Sequence, residues 1–343
     1  MTIKHLSVEY DQKNGTTGAF SPGDVLFGRV LVMADKETKI QCLIVKAKGK
    51  VEVKWPEQQG NSPPVVISDK KRYFYFENIL LQDKKADGLY FSERFLVLFD
   101  TEYSYMYTTL NDTCHFYKGS VIIGQGQNSY SFSFDIPNRD MPSSYEGKWG
   151  SITYSLRTKL TQTAWQVYKA KTQFPVLTKN EFPFGSKSEM IIIGLKEPQC
   201  ATRISFCGSG KVTVNVSTEN MGLTQSESME VRAEVLNDSA FAVTPRFYVC
   251  EKQTFVTRSQ RTVVHVSHVE FGTGGCAVPA ASATTIARVL TAPPQLHPTF
   301  FNCSMMRLEY RLKACWRLPV FAGHGCHGDS PQGSRRSAGG ASS

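Results

Sequence analysis

Ser129-Tyr-Ser-Phe-Ser-Phe-Asp-Ile-Pro137, running on through Met141-Pro-Ser-Ser-Tyr-Glu-Gly-Lys-Trp-Gly150, is the stretch whose reading decides the fold. Tyr130, Phe132, Phe134 and Ile136 fall on one parity, with Ser131, Ser133 and Asp135 on the other, the pattern of a strand buried on one face. Pro137 ends it, since proline cannot donate to a ladder. Pro142, two serines and Gly147 form a turn. A second strand follows, with Ile152, Tyr154 and Leu156 on one face and Thr153, Ser155 and Arg157 on the other. The unit is strand, turn, strand.

The same alternation recurs outward from this unit, with almost no helical periodicity between the segments. Toward the N-terminus, strands are expected at Val25–Val32, Gln41–Val53, Arg72–Phe76, Tyr90–Leu98 and Val121–Ile123, and the strand after the turn runs to Leu160. After Phe174-Pro175 the segment 177–187, with Asn180, Pro183, Gly185 and Ser186, has little periodicity and is expected to be a connector. A second series then begins with Val212, Val214 and Val216, then Met229, Val231, Ala233 and Val235. It continues through Thr244–Phe255, Arg261–Glu270, Thr284–Leu290 and Ser304–Lys313, whose Met306, Leu308, Tyr310 and Leu312 oppose Arg307, Glu309, Arg311 and Lys313. Many short two-sided strands in two series predict an all-β chain of two tandem immunoglobulin-like sandwiches, at 1–176 and 188–319. Beyond Pro319 the composition turns to Gly, Ser, His and Arg, so 320–343 is expected to be a short disordered C-terminal tail.

A length of 343 residues exceeds what one core usually serves. Hydrophobic residues at 41% and charged residues at 20% fit a folded globule, and no apolar run reaches the ~18 residues a membrane helix needs. The first residues open into an alternating strand rather than a leader, and the expectation is a cytosolic chain. The nine cysteines lack regular spacing, which suits reduced thiols filling core space. Cys200 and Cys207 have no partners at zinc spacing, and neither a metal nor a cofactor is expected. A formal charge of +9 suits an anionic membrane surface or an acidic polypeptide as partner. Nucleic acid is not expected, because no basic tract is interleaved with stacking aromatics.

Several literal motifs resemble the alpha-arrestins, the arrestin domain-containing proteins. They are Phe20-Ser-Pro-Gly-Asp-x-Leu-x-Gly-Arg-Val30, Lys48-Gly-Lys-Val-Glu-Val-Lys-Trp55 and Phe132 to Tyr154, in that order. Gly222-Leu-Thr-x-x-Glu-Ser228 follows, then Asn302-Cys-Ser-x-x-Arg-Leu-Glu-Tyr-Arg-Leu-Lys313. The resemblance spans about residues 3 to 319 and implies the arrestin fold. It also implies a non-enzymatic adaptor that binds cytosolic tails of membrane receptors or transporters and directs their endocytosis and sorting, visiting the plasma membrane or endosomes. Family members recruit HECT-type ubiquitin ligases through Pro-Pro-x-Tyr motifs in a C-terminal tail. Here Pro63-Pro-Val-Val66 and Pro293-Pro-Gln-Leu296 both lack the tyrosine. Direct ligase recruitment by this chain is therefore not expected, which leaves an indirect ligase link or another arrestin as the alternatives. Where the thioredoxin-interacting member has its partner-binding cysteine, the aligned stretch Leu236–Ser239 has Asp238, so thioredoxin is not expected as a partner. The family's second domain continues with a further apolar strand after Tyr310, and this chain is expected to lack it.

One candidate site stands out. Lys46, Lys48, Lys50 and Lys54 share one parity, with Val45, Ala47, Gly49, Val51 and Val53 on the other, so the lysines should line an exposed strand face together with Glu52. Clustered ammonium groups attract an acidic or phosphorylated segment, or anionic lipid, and the same pattern fits an ordinary solvated face. Lys70, Lys71 and Arg72 offer a second basic run at an expected loop end. No nucleophile, base or metal set suggests catalysis; His265 and His268, three apart in a strand, point to opposite faces. Tyr145, Trp149, Trp165 and Tyr168 are expected to be packing residues.

Overall fold

The computed structural model describes residues 2–11, 18–58, 60–82, 119–178, 190–194, 210–218, 220, 222–224, 227–271, 276–292 and 296–317, and every regular element among them is a strand. The first series comprises β1 (Ile3–Tyr10), β2 (Val25–Ala34), β3 (Thr38–Ile40), β4 (Cys42–Glu57), β5 (Val65–Gln82), β6 (Val121–Ile123), β7 (Gly126–Asp135), β8 (Tyr145–Glu146), β9 (Gly150–Thr161) and β10 (Val167–Gln173). The second comprises β11 (Met190–Gly194), β12 (Val212–Thr218), β13 (Gly222–Thr224), β14 (Ser228–Asn237), β15 (Thr244–Val256), β16 (Thr262–Phe271), β17 (Ser282–Thr291) and β18 (Met306–Arg317).

Each series closes into a pair of sheets. In the first, β1-β2-β7 faces β10-β9-β4-β5, with β8 added to β9 and β3 paired with β6. In the second, β12-β14-β17 faces β13-β11-β18-β15-β16, where β11 lies parallel to β18 and the other pairs are antiparallel. The apolar parity read from the sequence is the buried one. Leu26, Val30, Phe132 and Phe134 meet Val45, Ala47, Val51 and Leu156 across the first core, and the Phe76 and Phe134 rings stack 6.0 Å apart between sheets. Each such side chain contributes about 1.5–3 kcal/mol by leaving water.

Gly49 shows why the sequence needs a gap in this pattern. It is paired with Phe74 on β5 and Tyr154 on β9, and a Cβ there would lie 2.7 Å from the Phe74 ring and 2.8 Å from the Tyr154 ring. Its missing side chain lets these two buried rings approach to 5.8 Å. A bulge beside it, between Gly49 and Lys50, turns both Tyr73 and Phe74 inward and leaves Arg72 opposite Lys50.

The decisive stretch does more than turn the chain. The Tyr154 hydroxyl donates to the Pro142 carbonyl at 2.5 Å. Ser144 and Ser143 accept from the Val176 and Thr178 amides at 2.9 and 3.0 Å, holding the chain that leaves β10. Its far end meets the second sandwich. The Tyr145 ring packs edge-on against His297 and Phe300, and the Lys148 amide donates to Gln253. Nearby, Asn302 donates to Asp140, and the buried Tyr73 hydroxyl donates to the Cys303 sulfur.

Three sequence expectations need correction. β5 begins at Val65 rather than Arg72, so Lys70-Lys71-Arg72 lies within a strand and not at a loop end. Val167–Gln173, which was not expected to be a strand, is the edge strand β10. Trp165 does not pack: it is 94% exposed at the tip of the β9–β10 hairpin, whereas Tyr168 does rest on the core, as expected. Cys42, Cys250 and Cys303 are buried thiols and Cys276 is exposed. The expected strand Tyr90–Leu98, the pair Cys200 and Cys207, the connector beyond Thr178 and the tail 320–343 lie outside the described residues.

Candidate functional site

β4 alternates strictly from Val45 to Trp55, so its even-numbered side chains leave the core together. Lys46, Lys48, Lys50, Glu52 and Lys54 therefore share the outer face of the β10-β9-β4-β5 sheet. The ladder adds neighbours from both sides. On β5, Glu77 lies opposite Lys46, Tyr75 opposite Lys48, Arg72 opposite Lys50 and Lys70 opposite Glu52. On β9, Arg157 lies opposite Lys46 and Ser155 opposite Lys48. β10 extends the face with Lys171 opposite Arg157 and Lys169 opposite Lys159. Of the second basic run, Lys70 and Arg72 join this face. Lys71, one residue out of phase, instead reaches toward Ser304 of the second sandwich at 3.5 Å.

The cations on this face are not equivalent. Lys46 is held by Glu77 at 3.0 Å and sits over the Tyr75 ring, whose hydroxyl donates to Glu77 at 2.6 Å. Partial burial would lower the Lys46 pKa, but the hydrogen bond to Tyr75 and the Glu77 charge outweigh it and raise it. Lys50 pairs with Glu52, whose carboxyl is held below its usual range chiefly by that bond. Arg72 also lies over the Tyr75 ring, 5.0 Å from its centre.

Lys48 is the exception. No carboxylate among the described residues lies within ion-pair distance of it. Burial, then the charges of Arg72, Lys50, Arg157 and Lys70, push its pKa from 10.5 down to about 8. An ammonium so placed is half out of water and surrounded by like charge. An incoming anion would relieve both penalties at once.

Sequence reasoning reached the β4 lysines but missed Arg157, Lys159, Lys169 and Lys171. Their parity was legible, since Arg157 and Lys159 sit on the polar side of β9. What brings them to the lysines is the register between strands distant in the chain. Among the described residues, no group of three His, Cys, Asp or Glu side chains is placed to hold a metal ion. No helix among them is long and apolar enough to cross a membrane.

Residues 6–182 match the family model for the arrestin (or S-antigen) N-terminal domain, and residues 208–330 match that for the C-terminal domain. Among curated proteins, the chain is 19% identical over 324 residues to arrestin domain-containing protein 4 of Homo sapiens, covering 92% of this chain and 68% of that protein. It is 21% identical over 326 residues to the thioredoxin-interacting protein of Homo sapiens, covering 90% and 69%. The mouse thioredoxin-interacting protein is 20% identical over the same length.

Proposed function

Because the chain belongs to the arrestin family, as an alpha-arrestin, we propose that it is a non-catalytic adaptor that takes acidic or phosphorylated cytosolic segments of membrane receptors or transporters onto the outer face of its first sandwich. In this reading the two sandwiches, at 1–176 and 188–319, scaffold the cargo's endocytosis, sorting or ubiquitin-dependent trafficking. The protein works in the cytoplasm and visits the plasma membrane or endosomes. A ubiquitin ligase joins indirectly, for example through another arrestin, since Pro63-Pro-Val-Val66 and Pro293-Pro-Gln-Leu296 lack a tyrosine. Thioredoxin is not proposed as a partner, because Asp238 stands where the resemblance puts the family's partner-binding cysteine.

The observation that carries the reading is Lys48, with Arg72, Lys50, Arg157 and Lys70 around it and no carboxylate of its own. A carboxylate or phosphate entering this cluster gains charge-assisted hydrogen bonds from several donors. Each such bond is worth about 1.5–3 kcal/mol, or roughly tenfold or more in affinity.

The test is fluorescence anisotropy of the full chain with a serine-phosphorylated acidic peptide and its unphosphorylated twin. The phosphorylated peptide should bind more tightly, and Lys48→Glu combined with Arg157→Glu should weaken it by about tenfold or more. Equal affinity for both peptides, or no loss in the double variant, overturns the reading.

A further inference from the structure

The β9–β10 hairpin presents a combination that peptide docking at Lys48 does not use. Its turn is tightly closed: the Gln162 amide donates to the Gln166 carbonyl at 3.0 Å, and the Gln166 amide donates to the Thr163 hydroxyl at 3.1 Å. The Thr2 hydroxyl anchors it from outside, donating to the Gln162 side chain at 3.0 Å. This braced turn holds Trp165 outward, 94% exposed, with Val167 beside it at 37%. Behind the tip, the register sets Lys169 directly opposite Lys159 and Lys171 directly opposite Arg157. No carboxylate among the described residues lies within ion-pair distance of these four. Like charges facing each other across a ladder are destabilising.

Each half has a simple explanation that fails for the other. Lysines on an edge strand discourage pairing with another chain, but that gives no reason for a bare indole. A lone exposed ring is commonplace, but not on a rigid tip backed by unopposed cations. An aromatic ring with a polar N–H is at home where hydrocarbon meets water. Lysine and arginine next to such a ring are drawn to anionic headgroups.

We propose that this hairpin is a membrane anchor: Trp165 enters the interfacial layer of an anionic leaflet while Arg157, Lys159, Lys169 and Lys171 lie against the lipid phosphates and carboxylates. Lipid fits better than a protein surface. The tip offers Thr163, Ala164 and Gln166 around the ring rather than a flat apolar patch, so the ring can wedge in but has little to seal against. The geometry suits a membrane as well. The tip lies at the Cys42 end of β4, while the contacts with the second sandwich, from Tyr73–Cys303 beside Gly49 to Glu57–Arg261, fall along the other half of the strand, so roughly 25 Å of strand separates the anchor from that sandwich.

The experiment is flotation of the full chain with vesicles of phosphatidylcholine alone or mixed with phosphatidylserine. The protein should float with the mixed vesicles, in a salt-sensitive way, and stay behind with phosphatidylcholine alone. Trp165→Ser should weaken flotation by about tenfold, and so should Lys159→Glu combined with Lys169→Glu. The chain has four tryptophans, so the blue shift of emission on binding should be read as the difference between wild type and Trp165→Phe. An unchanged thermal midpoint and far-ultraviolet spectrum for Trp165→Ser will show that the fold is intact. Equal flotation with both vesicles, or full flotation by Trp165→Ser, overturns the proposal. So does a Trp165→Ser variant that loses phosphopeptide affinity while wild type ignores the vesicles, since the tip then serves a protein partner. Weakened peptide binding with vesicle binding kept in Lys48→Glu, and the reverse in Trp165→Ser, separates the two sites, which share Arg157.

Discussion

The two sandwiches share an architecture and handle surface charge differently. On the second, cations meet carboxylates. Lys252 on β15 lies opposite Glu309 on β18 and bonds it at 3.1 Å, Arg311 reaches the same carboxylate at 3.7 Å, and Arg246 pairs with Glu270 at 3.3 Å. On the first, Glu77 and Glu52 hold Lys46 and Lys50, but across the ladders like also meets like: Lys159 faces Lys169, Arg157 faces both Lys171 and Lys46, and Lys50 faces Arg72. A formal charge of +9 describes both faces together and distinguishes neither. The difference lies in register, which pairs the cations of one face with carboxylates and sets cation against cation around Lys48 and along the β9–β10 ladder of the other, where an incoming anion would relieve the repulsion.

The largest expected effect tests whether the first face depends on backbone spacing as well as on charge. Gly49 sits between Lys48 and Lys50, and any side chain there collides with the Phe74 and Tyr154 rings. Gly49→Ala should destabilise the first sandwich by about 1–3 kcal/mol, the usual range for overpacking a filled core. Urea denaturation followed by tryptophan fluorescence reads this as a lower midpoint. In conditions where the variant remains folded, phosphopeptide affinity should also fall, although no cation has been removed. A variant as stable as wild type would mean that the rings move aside, and that Gly49 does not set the spacing of the lysine row.

A charge exchange probes the contrast itself. Lys169→Glu converts a like pair on the first face into an opposite pair, and Glu309→Lys does the reverse on the second. The first should stabilise and the second destabilise, each by about 0.2–1 kcal/mol. Both shifts should shrink at high salt, because these groups are solvent-accessible. Thermal midpoints at low and high salt check this. If Lys169→Glu destabilises, the repulsion inferred from the register is already screened by water, and the two faces differ less than their ladders suggest.

Much of this contrast was visible in the sequence, and the missing part has a physical cause. The long alternation from Val45 to Trp55 identified the lysine face, since side-chain parity in a strand is local. The pairing of Arg157 with Lys171 was not local information, because it depends on where the β9–β10 turn closes. β5 was expected to begin at Arg72 because Ser68, Asp69, Lys70 and Lys71 show no apolar face. The structure explains why: this part of the strand reaches the second sandwich, where Asp69 receives hydrogen bonds from the Arg258 side chain and amide at 2.8 Å, across 189 residues of sequence. Trp165 was expected to pack because tryptophan usually does, and only the tight closure of its turn reveals that it cannot fold back.

The smallest effect, and the most specific, is the pH dependence of Lys48. Its folded pKa of about 8 lies below the ordinary 10.5. Below pH 8 both the folded and unfolded chains carry the proton, and the folded state bears the full penalty of a crowded cation. Between about 8 and 10.5 the unfolded chain holds more protons, so stability gains a rising contribution with pH. Because the group is half exposed and screened by solvent, that gain should stay below about 1 kcal/mol. Urea titrations of wild type and Lys48→Met should therefore converge as pH climbs through this window. Anion binding has the opposite sign, because it favours the protonated form. Phosphopeptide affinity should fall as pH rises through 8 in wild type and hold steady in Lys48→Arg, whose guanidinium stays charged. Parallel affinity profiles for the two proteins would remove Lys48 from the docking site and leave the first face distinguished by the β9–β10 hairpin alone.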